Sequence, residues 1–115
     1  NDQFGSPTST ELVILVLKKI LNKIKQNKFK SGVFNLCPKQ SVNRYELSKY
    51  ILNNYFNRKF LQSIKIYSTS TKNLNLLALR PLNSRMNTNK IKKFLKVEIK
   101  NWKFYLDKYL KNIKV

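Results

Sequence analysis

The chain has 115 residues, a formal net charge of +19, one cysteine and no histidine. This length suffices for one domain with a modest core, so we expect residues 1–115 to form a single unit. The cysteine and histidine counts exclude an internal disulfide, histidine-based catalysis and the usual soft-ligand metal sites. The longest apolar run, at 12–17, is too short to span a bilayer, and we expect a cytoplasmic protein with no membrane partner.

The positive charge has two interpretations. An excess of 24 Lys and Arg over five Asp and Glu is typical of proteins that bind nucleic acid. However, most of the cationic residues are lysine, whereas arginine is the residue that recognises bases and binds phosphate in a bidentate manner. The lysines are also spread along the whole chain among many asparagines and isoleucines, as an AT-rich genome would encode. We attribute the charge mainly to this AT-biased amino-acid composition. The alternative is that the chain is a small basic nucleic-acid-binding protein.

The first residues predict a tight loop that leads into a helix. Gly5 is expected to supply backbone freedom, and Pro7 fixes φ and lacks an N–H donor. Thr8 and Glu11 have the spacing of a capping box, and apolar residues at helical spacing then predict a helix over 11–26. The free N–H groups at such a helix start suit a phosphate or another anion, although an ordinary loop before an ordinary helix explains the spacing equally simply.

Two short strands and three further helices are predicted downstream. Residues 33–37 are apolar and end at a proline, and residues 63–68 alternate between polar and apolar, so both segments are predicted as strands. Ser41 is expected to cap a helix that ends near residue 55. Thr88 or Asn87 is expected to cap a short helix, and Asn101 the last one. The last helix carries an apolar stripe made of Trp102, Leu106, Tyr109, Leu110 and Ile113.

These elements predict an α/β fold class with α+β character, mostly helical with two short strands. The chain has only two glycines and three prolines, so we expect neither a flexible linker nor a second domain. Such a chain would cover the end of a larger sheet better than it would form a sheet of its own.

Four blocks in the chain carry a family resemblance. They are Asp2-Gln3-x-Gly5-x-Pro7-Thr8, Gly32-Val33-Phe34-Asn35, Ala78-x-Arg80-Pro81-x-Asn83-Ser84 and Trp102-x-x-x-Leu106. In this order and spacing, they resemble the carboxy-terminal, substrate-binding half of dTDP-4-dehydrorhamnose reductase, a family of the extended short-chain dehydrogenase/reductase superfamily. The resemblance runs nearly from end to end of the chain.

The resemblance implies a site that binds a nucleotide sugar. Gln3 would make a polar contact with the dTDP-sugar, and Gly5 and Pro7 would shape the loop beside it. Arg80, held rigid by Pro81, would clamp the diphosphate, because a planar guanidinium donates two parallel hydrogen bonds that lysine cannot. The run continues through Asn83, which we include in the predicted site, although Asn83 and Ser84 also suit a capping role. The competing interpretation of Arg80 is a surface arginine at a turn.

The family's cofactor and catalytic motifs are not found in this sequence. Family members bind NADPH or NADH through a glycine-rich turn and protonate the substrate with a Tyr-x-x-x-Lys pair. Gly5 and Gly32 stand too far apart for that turn. Tyr45 and Lys49 have the pair's spacing but follow the opening loop, whereas the family's pair precedes it, so we assign no catalytic residue. We expect the Rossmann half to be lost, encoded separately or absent from this sequence, and the chain alone to be inactive.

The implied reaction is the NADPH- or NADH-dependent reduction of dTDP-4-dehydro-L-rhamnose to dTDP-L-rhamnose, which serves cell-surface polysaccharide synthesis. The expected partners are the dTDP-sugar and the Rossmann half that binds the cofactor, with a second copy in a homodimer as a further option. No metal-binding residue is assigned in this chain, and no dedicated nucleic acid is expected. Related nucleotide-sugar reductases or epimerases, and the regulatory homologue that partners methionine adenosyltransferase, remain open alternatives.

Overall fold

The computed structural model describes residues 1–74, 77–78 and 80–112, with the side chains of all of these except 58 and 60. Within this part, the chain is mostly helical with one small antiparallel sheet of two strands, which confirms the predicted fold class. The elements, in chain order, are β1 (Phe4–Gly5), α1 (Thr10–Lys25), β2 (Val42–Asn43), α2 (Arg44–Tyr55), α3 (Arg58–Ser63), a 3-10 turn (Thr71–Asn73), α4 (Asn89–Leu95) and α5 (Trp102–Asn112).

Helix α1 lies within one residue of its predicted bounds, but its cap is different. Ser9 is the N-cap, and its Oγ accepts a hydrogen bond from the Leu12 N–H at 3.2 Å. Thr8 instead donates its hydroxyl to the Ser6 carbonyl at 3.0 Å, and Glu11 forms an ion pair with Lys108 of α5. The predicted capping box is therefore wrong, and the N-cap lies one residue later than predicted. Two neighbouring hydroxyl residues compete for one cap position.

The predicted positions of the two strands are wrong. Residues 33–37 and 64–68 lie outside any strand, and Ser63 closes helix α3. A strand needs a neighbour for its N–H and C=O groups, and the described residues offer none at either place. The strands that do form, β1 and β2, pair in the register Phe4 with Asn43 and Gly5 with Val42.

Helix α2 begins two residues later than a Ser41 cap would place it. Its N-cap is Asn43, whose Oδ1 accepts from the Glu46 N–H at 2.8 Å. Residues 42 and 43 are held extended by pairing with β1, so the helix cannot start before this pairing ends. Ser41 Oγ accepts a hydrogen bond from Arg85 Nε at 2.9 Å instead.

The ends of the last two helices agree with the sequence. Thr88 is the N-cap residue of α4, and Asn87 Oδ1 accepts from the Asn89 N–H at 2.8 Å. Asn101 Oδ1 accepts from the Phe104 N–H at 2.9 Å and so caps α5 as predicted. Ile113, the last member of the predicted stripe, lies outside the described residues.

The core lies between α1, α4 and the segment that leads into α5. Apolar side chains from these elements pack together and exclude water. Cys37 is a buried free thiol that lies outside the main cluster. Among the described helices, none has the length and apolarity needed to cross a membrane. The main cluster consists of Leu12, Val16, Ile91, Leu95, Val97, Ile99 and Tyr105.

Candidate functional site

Strand β1 brings the opening loop, residues 2–8, next to residues 80–85, the downstream segment that contains Arg80 and Arg85. The Phe4 N–H donates to the Leu82 carbonyl at 2.8 Å, and the Ser84 N–H donates to the Phe4 carbonyl at 2.9 Å. On its other edge, β1 pairs with β2. Residues 82–84 and β2 therefore flank the opening loop on its two sides, although they are far apart in sequence.

A cavity of about 600 Å³ opens beside this arrangement. Its size falls within the range of natural small-molecule sites. β2 and the first turn of α2 contribute Val42, Asn43, Arg44 and Leu47, and the loop and the downstream segment supply the rest. Five of the six residues predicted for the substrate site line it: Gln3, Gly5, Pro7, Arg80 and Pro81.

Asn83 is not part of the cavity lining. Its Oδ1 accepts a hydrogen bond from the Arg85 N–H at 3.1 Å, so the side chain stabilises the turn that follows Pro81. This local bond is of the kind that asparagine commonly makes in turns. Contact between Asn83 and a substrate stays a prediction.

Gly5 has a different role from the one expected. It lies in strand β1, and its φ is not among the positive values of the chain. A Cβ at this position would lie 3.9 Å from Ser84 Cβ, which is an ordinary contact. The expectation that Gly5 supplies backbone freedom is therefore wrong; the residue contributes a small surface to the cavity wall.

Arg80 presents a free guanidinium at the cavity. Its side chain is exposed, and it has no hydrogen bond, ion pair or ring contact with the described residues. Arg85 differs, because it donates to Ser41 and lies 4.5 Å from the centroid of the Phe4 ring. Arg85 thus supports the loop, whereas Arg80 is available to a ligand.

Asp2 anchors the opening loop. Thr71 donates to its carboxylate from Oγ1 at 2.7 Å and from the backbone N–H at 2.9 Å. The hydroxyl bond, and then the backbone bond, lower the pKa of Asp2 below its usual value. A carboxylate held ionised in this way serves as a structural acceptor and is a poor proton donor.

Sequence reasoning did not single out Arg44. This residue is the first of α2, and it lines the main cavity together with Gln3 and Arg80. The same three residues also line a second cavity of about 270 Å³. The signal that could have found Arg44 is its type, since it is one of only four arginines among the 24 cationic residues.

The described residues contain no metal-binding cluster, and the sequence contains no glycine-rich turn of the kind that binds a dinucleotide. The described part of the chain contains no group of three or more Cys, Asp and Glu side chains that could hold a metal ion. Gly5 and Gly32, the only glycines in the sequence, lie in different segments, so no glycine-rich phosphate-binding turn forms here. Tyr45 and Lys49, which have the spacing of the family's catalytic pair, are in contact with each other: Lys49 Nζ lies 5.1 Å from the centroid of the Tyr45 ring, as in a cation–π contact.

Comparison with known families decides what kind of domain carries this cavity. The family model described as the RmlD substrate binding domain matches residues 1–115, the whole chain. The chain belongs to the RmlD substrate-binding-domain family. A search of curated proteins finds no match.

Membership in the RmlD family confirms the resemblance to the substrate-binding domain of dTDP-4-dehydrorhamnose reductase. It identifies a nucleotide-sugar reductase type of family, whose domain binds a dTDP-sugar. In this RmlD domain, the predicted binding loop and Arg80 line one cavity, as the sequence hypothesis requires. Direct contact between those residues and the sugar nucleotide stays a prediction.

Proposed function

We propose that this chain binds and orients the dTDP-sugar in the reduction of dTDP-4-dehydro-L-rhamnose to dTDP-L-rhamnose, a step that serves cell-surface polysaccharide synthesis. The observation that carries the proposal is the cavity that Gln3, Gly5 and Pro7 line together with Arg80 and Pro81. The membership of the whole chain in the RmlD substrate-binding-domain family supports the choice of ligand.

The contribution of this chain is positioning. Arg80 would donate to the diphosphate through two parallel charge-assisted hydrogen bonds, and Gln3 would fix the orientation of the ligand. Holding the substrate in a productive geometry lowers the entropic barrier to reaction. Hydride and proton transfer fall to residues and a nicotinamide cofactor that this chain does not hold, and we propose that a Rossmann half binds NADPH or NADH.

Two exposed apolar surfaces support the existence of such a partner half. On α1, the side chains of Ile14, Leu17 and Leu21 are about half exposed although they follow one another at helical spacing. Val33 is 81% exposed at the start of the segment whose sequence predicts a strand. An α-helix and a strand-forming segment that both expose apolar groups are suited to covering and extending a sheet from another part of the enzyme.

Substitution of Arg80 by alanine tests the proposal. In the complete reductase, Arg80→Ala should raise the KM for the nucleotide sugar about tenfold or more, since hydrogen bonds to charged groups contribute about 1.5–3 kcal/mol. The KM for the nicotinamide cofactor should stay unchanged. Lys93→Ala is the matched control: Lys93 is exposed on α4 and lies outside the cavity, and the substitution removes one positive charge. Unchanged substrate kinetics in Arg80→Ala would remove Arg80 from the site.

The net charge of +19 favours a second candidate function, the binding of RNA or DNA. Titration against labelled nucleic acid at increasing salt separates the two functions, because a dedicated binder keeps measurable affinity near physiological ionic strength. We expect binding at low salt only. A panel of nucleotide-sugar substrates, in turn, distinguishes the rhamnose reaction from those of related reductases and epimerases.

A further inference from the structure

The main cavity adjoins a second cavity, and three residues line both. Gln3, Arg44 and Arg80 line both the cavity of about 600 Å³ and the cavity of about 270 Å³. The larger cavity is bounded by the opening loop and β2, and the smaller one by segments near the 3-10 turn. The two arginines therefore stand at the boundary between two separate spaces.

The backbone of Arg44 is fixed, while its guanidinium is free. The residue before it, Asn43, pairs with Phe4 and caps α2, so the position of the Arg44 backbone is set on both sides. The Arg44 side chain is exposed and has no hydrogen bond, ion pair or ring contact with the described residues. Ordinary surface arginines behave similarly, but Arg44 shares both of its cavities with a second free arginine.

Among the described residues, no acidic side chain forms an ion pair with Arg44 or Arg80. Asp2 is the acid that lines the smaller cavity, and both of its oxygens accept hydrogen bonds from Thr71. Two guanidinium groups at one boundary repel each other until an anion lies between them. A diphosphate carries two phosphoryl groups, and each can accept a bidentate arginine contact.

We propose that Arg44 is a second diphosphate-binding residue, which acts with Arg80 at the boundary of the two cavities. This inference rests on the proposed function and adds to it a second diphosphate-binding residue and the orientation of the bound nucleotide sugar. A diphosphate at the boundary places the sugar in one cavity and the nucleoside in the other.

The aromatic residues that line the smaller cavity indicate which end of the nucleotide sugar binds there. Tyr67 lines it and is 77% exposed, so its ring is open to a planar ligand. Tyr45 lines the same cavity, but Lys49 Nζ already lies over its ring. Because nucleobases stack on open aromatic side chains, the thymine belongs beside Tyr67, and the sugar belongs in the larger cavity beside the opening loop.

The test is a binding titration of the full-length protein with dTDP and with thymidine. Arg44→Ala and Arg80→Ala should each weaken dTDP binding by about tenfold or more and leave thymidine binding within about twofold. Arg44→Lys should fall between Arg44→Ala and the unmodified protein, because lysine keeps the charge and loses the bidentate geometry. Lys93→Ala, on α4 and outside both cavities, controls for the loss of one charge.

The outcomes separate this inference from the proposed function. If Arg44→Ala binds dTDP within about twofold of the unmodified protein while Arg80→Ala does not, the proposed function stands and the role of Arg44 is overturned. If the unmodified protein does not bind dTDP, both are overturned. Circular dichroism verifies folding. If Arg44→Ala does not fold, Arg44→Lys, with its similar stem, replaces it: weakened dTDP binding supports the role of Arg44, and unchanged binding overturns it.

Comparison of dTDP with inorganic pyrophosphate, which carries no base, tests the proposed orientation of the ligand. Tyr67→Ala should weaken dTDP binding by about fivefold to a hundredfold, the effect of losing one stacking contact, and leave pyrophosphate binding unchanged. Tyr67→Phe keeps the ring and should bind dTDP normally. Unchanged dTDP binding in Tyr67→Ala, or equal losses for the two probes, would show that the base does not lie beside Tyr67.

Discussion

Replacement of Asp107 by alanine should be one of the more destabilising single changes in the chain. Asp107 lies on α5 and accepts hydrogen bonds from two tyrosines of α2: Tyr50 Oη at 2.8 and 3.0 Å, and Tyr55 Oη at 2.7 Å. Trp102 adds an edge contact with the Tyr50 ring, with 5.1 Å between centroids. The carboxylate is thus the polar link between the helix that carries Arg44 and the last helix.

The size of the effect follows from the two lost bonds. A hydrogen bond to a charged group contributes about 1.5–3 kcal/mol when it is buried. All three side chains are only partly buried, so the lower end applies, and Asp107→Ala should lower the free energy of unfolding by about 2–4 kcal/mol. Tyr55→Phe removes one donor and should cost clearly less than Asp107→Ala. Asp107→Asn should fall between them, because an amide oxygen still accepts one bond.

Urea unfolding of the full-length protein measures these differences at neutral pH. A double-mutant cycle of Asp107→Ala with Tyr55→Phe should show a coupling of at least about 0.5 kcal/mol, the lower limit for contacting residues. Additive effects, or a loss below about 0.5 kcal/mol in Asp107→Ala, would refute the reasoning.

The same cluster has a pH signature. Partial burial, and then the hydrogen bond to Asp107, raise the pKa of Tyr55 to about 12. The raised pKa means that the folded state holds this proton more tightly than the unfolded state. Its stabilising contribution is therefore complete below the ordinary value of 10 and is lost as the pH rises through about 12. Phenolate absorbance should show this late ionisation, and Asp107→Asn should bring it to lower pH.

Two further predictions concern the loop and the core. Because Thr71 lowers the pKa of Asp2, the stability difference between the unmodified protein and Asp2→Asn should be constant above the usual pKa of 3.8 and shrink as the pH falls below that value. Acid titration of the urea midpoints checks this, and a difference that grows as the pH falls would contradict it. Ile99 is 0% exposed, so Ile99→Ala should cost about 2–5 kcal/mol and Ile99→Val about 0.5–1.5 kcal/mol in urea unfolding; equal losses would contradict the packing described.

Local signals in the sequence predict the helices well. The apolar spacing of α1 places its ends within one residue, and the Asn101 cap is correct, because both depend on neighbouring residues. The choice of Ser9 over Thr8 cannot be made locally, since both hydroxyls stand at suitable spacing. The strand predicted at 33–37 has the right composition, but a strand depends on a neighbour, and composition does not specify one.

The residues of the site also differ in whether the sequence could predict them, because some are placed only by contacts between distant parts of the chain. The family resemblance predicts that Gln3 and Arg80 belong together, and the structure places both in one cavity. Arg44 reaches that cavity only because β2 pairs with β1, which no local pattern indicates. Asp107 is an isolated acid in the sequence, because its partners Tyr50 and Tyr55 lie 57 and 52 residues away.

A crystal structure of the full-length protein with bound dTDP-L-rhamnose would test the proposed binding site most directly. We expect the diphosphate between the opening loop and the Arg80 guanidinium, with Gln3 in contact with the ligand. A diphosphate bound elsewhere, with Arg80 directed to solvent, would contradict the proposal.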